Sequence, residues 1–272
     1  MPRAATEAEH LLKDLGLTNV PIKPSKVCEA MSSQSYVVSL EEKPMISEGF
    51  LGISMGDVNG AAILINSNIK NPHRKRFTAA HEIGHVHLHI QTNQQSNFKC
   101  SDKDISAGDN SNDSFEKEAN EFASSLLMPT FAASPLIHKN DLSWVLVKRL
   151  KKLCDVSLEA AARRTVALSK DSCCLIIHKQ GDMWFPIKSQ RFSPFIPTQP
   201  FPSYLDTHEE GNGSGSLPDG MDECDFSDWG FPDNATGKLY YSSIHNSEFN
   251  RTMTLLLHDE EPEEEEYIEP YF

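Results

Sequence analysis

His81, Glu82 and His85 stand in the spacing H-E-x-x-H. On a helix, histidines four residues apart differ by about 40° in direction, so both imidazoles can reach one cation at roughly 2 Å. Glu82 is then set beside the remaining coordination position. A zinc ion there would polarise a water, and the carboxylate would take its proton as the water attacks a carbonyl carbon. The pentapeptide also arises by chance, so its surroundings must decide.

A tetrahedral catalytic zinc needs a third protein ligand. The extended pattern that supplies it six residues beyond the second histidine is absent, because Leu88 and Gln91 stand where Gly and His belong. His89 would lie about 12 Å from His81 along a straight helix, and His87 and His89 read as surface or loop histidines. A glutamate on a second helix is the alternative, and Phe115–Pro129 offers Glu116, Glu118 and Glu121. Glu116 shares a face with Asn120, Ala123 and Leu127, whereas Glu118 lines up with Glu121 and Ser125 on a polar face. Glu116 is therefore the expected third ligand. Asn120, one turn on, is expected to accept the ring N–H of a metal-bound histidine and so fix its tautomer. The expected metal set is His81, His85 and Glu116 with Zn2+, or Mn2+ in its place, and Glu82 is the expected catalytic base.

The elements that must position these residues are legible in the punctuation. Asn71-Pro72 reads as a cap and first helical position for a helix to about His89, with Phe77, His81, Gly84, His85 and Leu88 on one face. A second helix is expected over 114–128, stopped by Pro129. Residues 36–66 alternate short apolar runs with Gly and Pro as small strands do, and Gly60–Asn66 is the clearest. A substrate segment is expected to add a strand there, along Ile63, Leu64, Ile65 and Asn66. Gln91–Asp113 is almost wholly polar and reads as a surface loop.

A helix is expected over 5–16, two more within 141–169, and a hairpin over Ser172–Ile187. After a Pro-, Gly- and Ser-rich stretch at 194–233, a last strand is expected at Arg251–His258. The expected organisation is a peptidase domain over 1–135, a helical, helix-turn-helix-like segment over 136–170, a β-containing region over 171–258 and an acidic tail over 259–272. The fold class is α+β, a zincin-like domain with a small β-containing appendage.

Two long motifs, Arg76–His89 (RFTAAHEIGHVHLH) and Glu116–Pro129 (EKEANEFASSLLMP), occur in the order found in the ImmA/IrrE family of metallopeptidases. The sequence resembles that family over roughly residues 5–170, with Gly49–Gly52, Ala61–Asn66 and Val156–Ala160 as shorter echoes. The resemblance implies a zinc endopeptidase that cleaves or disables a helix-turn-helix repressor and so releases stress-response or mobile-element genes. The peptidase region opens this sequence directly, so the repressor is expected to be a separate protein. A non-catalytic regulator that sequesters a repressor, or a DNA-binding regulator, are the alternatives.

Bulk properties narrow the classes. With 25 Lys and Arg against 39 Asp and Glu, the net charge of −14 argues against non-specific binding of the whole molecule to nucleic acid. Lys148, Arg149, Lys151, Lys152, Arg163 and Arg164 make a local basic patch, read as a solvated helix face. No apolar run is long enough to span a membrane, and the N-terminus lacks a secretory signal, so a cytoplasmic location is expected. The six cysteines show no C-x-x-C pair and read as reduced thiols.

Overall fold

The computed structural model describes residues 3–45, 49–101, 104, 113–179, 182–197, 200–202, 205–209, 220–231 and 235–260. The acidic run beyond Glu260 lies outside them. The chain divides into two compact units, Met1–Leu136 with Lys148–Arg164, and Ile137–Val147 with Thr165–Phe272. The helical segment over 136–170 is thus divided between the two.

The first unit begins with α1 (Arg3–Asp14) and α2 (Pro24–Met31), followed by strands β1 (Val37–Lys43), β2 (Phe50–Gly56) and β3 (Gly60–Asn66). Next comes α3 (Pro72–His85), whose final turn widens into a π-helical turn at Val86–Ile90; strand β4 (Asn97–Ser101) and helix α4 (Ser114–Leu127) follow. The sheet order is β1-β3-β2-β4, with β1 parallel to β3 and the other pairs antiparallel. Alternation along β3 turns Ala61, Ile63 and Ile65 to one face, and α3 covers it. Ile63 and Ile65 are fully buried, each contributing about 2 kcal/mol. α4 packs on α3, and α1 packs on α4 with Ala4, Ala5, Ala8, Leu11 and Leu12 buried.

Two expectations are corrected here. The polar segment 91–113 is not all loop, because β4 pairs with β2 along its length. Only Phe98 and Cys100 carry the period-2 burial, too few residues to stand out from their polar neighbours. β3 is also not an edge: its backbone is paired to β1 on one side and β2 on the other, so Ile63, Leu64, Ile65 and Asn66 cannot take up a further strand. Asn66 instead ties loops together, accepting from the N–H of Met45 (3.2 Å) and Asn68 (3.0 Å) and donating to Phe50 O (2.8 Å).

The unit also holds α5 (Thr130–Ile137) up to Leu136, and the Lys148–Arg164 parts of α6 (Trp144–Cys154) and α7 (Leu158–Leu168). The basic patch is depleted here. Buried Arg164 donates to Met128 O at 3.0 Å and lies 3.7 Å from Glu9, while Arg163 pairs with Glu159 at 2.9 Å.

In the second unit β5 (Cys173–Lys179) and β6 (Asp182–Lys188) form the expected antiparallel pair. With β7 (His208–Glu209), β8 (Asp222–Cys224), β9 (Lys238–Asn246) and β10 (Arg251–Asp259) they make a sheet of order β6-β5-β10-β9-β7, and β8 also pairs with β9. Cys174, Ile176, Tyr241 and Leu256 of this sheet pack with Phe192, Ile196, Trp229 and Phe231. β9 has no counterpart in the sequence reading, since its centre, Tyr-Tyr-Ser-Ser, dilutes the apolar signal; pairing with β10 buries Ser242 and Ser243 all the same. Helices accompany two separate sheets in which all but two of the strand pairs are antiparallel, and the fold is α+β.

Candidate metal centre

Both helices that carry the site begin with a satisfied cap. Asn71 Oδ1 accepts from Arg74 N at 3.1 Å with Pro72 at the first position, and Asp113 Oδ1 accepts from Phe115 N at 2.9 Å. Glu116 falls in the first turn of α4, where the helix dipole favours a carboxylate. The two helices meet closely at Gly84, where a Cβ would come within 3.1 Å of Phe122 Cδ1 and 3.3 Å of Ala119 Cα. Glycine is what lets Glu116 reach the histidines.

His81 Nε2 lies 3.0 Å from His85 Nε2 and 3.0 Å from Glu116 Oε2, and His85 Nε2 lies 3.4 Å from Glu116 Oε1. All three residues are buried. Bonds of about 2.0–2.1 Å in tetrahedral array put donors about 3.3 Å apart, so the spacing fits a single small dication.

The outer contacts point the same way. His81 Nδ1 is 3.0 Å from Asn120 Oδ1, and Asn120 Nδ2 donates to Asp104 O at 3.0 Å, which orients the amide. His81 therefore donates from Nδ1. On the other ring, His85 Nδ1 is 3.0 Å from His89 Nδ1, and His89 Nε2 is 3.0 Å from Glu118 Oε2. A neutral His89 that donates to Glu118 keeps a lone pair on Nδ1, so it accepts from His85 Nδ1–H. Both metal-facing Nε2 atoms are thereby left as acceptors, aimed with a carboxylate at one point.

The electrostatics describe the same point. Burial drives His81 towards the neutral form, but the pull of Glu116 and Glu82 outweighs it and holds its pKa above the ordinary histidine value. Burial and the neighbouring His81 and His89 push His85 down to about 4, against the pull of Glu116. Glu116 is itself half desolvated, yet the two histidines bring it down to about 2. The cluster calls for a cation that satisfies all three donors.

Glu82 sits against Gly52 of β2, where a Cβ would come within 2.6 Å of Oε1. Burial raises its pKa to about 7, nearby His81 countering only part of the shift. Both its oxygens are buried; the Ser54 hydroxyl lies near enough to pull the pKa down, but neither oxygen makes a hydrogen bond of good geometry among the described residues.

Residues 47–166 match the family model of Peptidase_M78, described as the IrrE N-terminal-like domain. This segment belongs to the ImmA/IrrE family. The ImmA/IrrE match spans β2 to α7 and so contains both site helices. Among solved structures, one titled a Mycobacterium tuberculosis transcriptional regulator is similar over 94% of this chain and 75% of its own, at 11% identity and a TM-score of 0.46. No curated protein matches the sequence.

Within the ImmA/IrrE segment the structure brings His81, His85, Glu116 and Asn120 together and sets Glu82 beside them. Ile63 and Ile65 lie in the core beneath α3. His89 and Glu118, read from sequence as surface residues, support the site instead. The continuation of the i, i+4 spacing from His81 through His85 to His89 is the signal that could have found them. His87 is directed elsewhere, its Nε2 3.9 Å from Glu7. Phe98 of β4 stacks on His85 with ring centroids 4.0 Å apart, a contact without a sequence signal.

Proposed function

We propose that the protein is a zinc-dependent endopeptidase with a zincin-like first unit, His81, His85 and Glu116 as metal ligands, and Glu82 as general base. The observation that carries this is the convergence of two acceptor nitrogens and a carboxylate, in a segment whose family is named for peptidases. A zinc held by His81, His85 and Glu116 would supply Lewis-acid polarisation of a water and of the scissile carbonyl; Mn2+ would fit the same donor set. Glu82, set beside the metal ligands and buried, would take the proton from the attacking water and return it to the leaving amine. Asn120 and His89 hold the two histidine ligands in the acceptor tautomer. The substrate lies extended along β4, which is paired to β2 on one side only among the described residues and carries the Phe98 ring that stacks on His85.

The substrate proposed is a separate helix-turn-helix repressor, cleaved to derepress stress or mobile-element genes, in the cytoplasm; the family resemblance is what supports this. None of the helices among the described residues is long and apolar enough to cross a membrane.

The test is digestion of a mixed peptide library by zinc-loaded wild type and Glu82→Gln, read by mass spectrometry with zinc content measured in parallel. Cleavage by the wild type and none by a variant that keeps one zinc supports the reading. Equal cleavage by both removes Glu82 from its role, and an inert, zinc-loaded wild type points to sequestration of the repressor by binding.

A further inference from the structure

His81, Glu82 and Cys100 bring a ring nitrogen, a carboxylate oxygen and a sulfur within 4.8 Å of one another, all three residues buried. Cys100 stands on β4 opposite Gly52, whose lack of a Cβ leaves room for the Glu82 carboxylate. Its thiol makes one weak contact, 3.8 Å to Ser101 O, and the buried Glu82 carboxylate, with the Ser54 hydroxyl nearby, makes no hydrogen bond of good geometry among the described residues. A thiol, a carboxylate and an imidazole form a softer donor set than the His81, His85 and Glu116 group, and soft donors select soft cations.

We propose that His81, Glu82 and Cys100 form a second seat, for a single thiophilic dication such as Cd2+, and that this seat competes with the His81–His85–Glu116 site. Competition follows from His81. Its Nδ1 is engaged by Asn120, so Nε2 is the one donor available to either set, and two ions cannot share it. On binding, the Cys100 S–H bond breaks, an S–Cd bond forms and the proton leaves to the buffer, with no change of oxidation state. An ion in this seat also occupies the Glu82 carboxylate. That consequence rests on the peptidase reading and makes the soft cation an inhibitor that removes the general base.

The test is titration of the metal-free full chain with Cd2+ alone, followed by the ultraviolet thiolate-to-cadmium charge-transfer band, for wild type, Cys100→Ser and His85→Ala. Folding is checked by circular dichroism, and zinc stoichiometry is measured separately. The band is expected in wild type and in His85→Ala, which keeps the second seat. It is expected to vanish in Cys100→Ser, with Cd2+ affinity lowered about tenfold or more while one zinc per chain is retained.

An undiminished band in Cys100→Ser, or cadmium bound to wild type without a band, overturns the proposal. Loss of zinc from folded Cys100→Ser does so too, since it would make the two sets one site. A cadmium-113 resonance of the wild type in the nitrogen- and oxygen-ligated range overturns it without any variant. Zinc binding and peptide cleavage by the wild type leave the peptidase reading standing in every one of these cases, so the two failures are distinguishable.

Discussion

His85 Nδ1 lies 3.0 Å from His89 Nδ1, and the far nitrogen of His89 lies 3.0 Å from Glu118 Oε2, so a carboxylate on α4 reaches a ligand on α3 through a second imidazole. The relay fixes which nitrogen of His85 carries the proton. His89→Phe keeps an aromatic ring beside Phe98 and Phe115 but removes the acceptor. Zinc affinity is expected to fall about tenfold to a hundredfold, measured by competition with a chelator. Glu118→Gln, at a half-exposed position, should have the smaller effect. Unchanged affinity in His89→Phe would mean that stacking on Phe98 alone orients His85.

Gly84 sets the distance between the two site helices. A methyl group there meets Phe122 and the Ala119 backbone at 3.1–3.3 Å, and a packed helix pair yields only by shifting. Gly84→Ala is expected to destabilise the protein by about 1–3 kcal/mol. It should also weaken zinc binding, because Glu116 moves with α4. Urea unfolding and zinc titration check the two effects; full zinc affinity in a destabilised variant would show that the ligands follow the helices less closely than the contact implies.

Gly52 has a different task. A Cβ would lie 2.6 Å from Glu82 Oε1 and 2.9 Å from the Thr78 methyl, so Gly52→Ala must displace the carboxylate. None of the three zinc donors is touched. Peptide cleavage is expected to drop at least about a hundredfold, within the range general-base catalysis supplies, with zinc content unchanged. Loss of zinc with activity would show a wider disturbance of α3.

The site was more legible than its setting. His81, Glu82 and His85 follow from one pentapeptide and a capped helix, and Glu116 with Asn120 follows from which face of α4 is apolar, because helical periodicity maps sequence directly onto direction. His89 is not among the metal-facing donors, as its distance along the helix implies, but it is buried against His85 and not on the surface, because the i, i+4 spacing brings ring to ring. β4 and the interior position of β3 were out of reach for another reason. Strand pairing is non-local, and whether Gly60–Asn66 is central or marginal depends on β1 and β2, not on its own seven residues. Gly52 and Cys100 belong to the same class: the packing of α3 on β2 brings Gly52 to Glu82, and the register of β2 with β4 then brings Cys100 alongside.

Glu82 also makes apo-protein stability depend on pH in a definite direction. Its pKa rises on folding from 4.5 to about 7 because it is fully desolvated. Between those values the unfolded chain has released the proton and the folded chain still holds it, so this contribution is fully present below pH 4.5 and is lost as pH rises through about 7. His85, lowered from 6.5 to about 4, acts in the opposite sense over much of the same window and masks the effect in a single curve. The difference between wild type and Glu82→Gln removes the His85 contribution and reports Glu82 together with its coupling to His81, since glutamine has no proton to lose. Relative to wild type, the metal-free variant is expected to gain stability as pH rises from 4.5 to above 7, by up to about 3 kcal/mol. Urea unfolding at intervals across that range is the measurement, and a constant difference would mean that Glu82 is hydrated in the folded protein and ionises as an ordinary carboxylate.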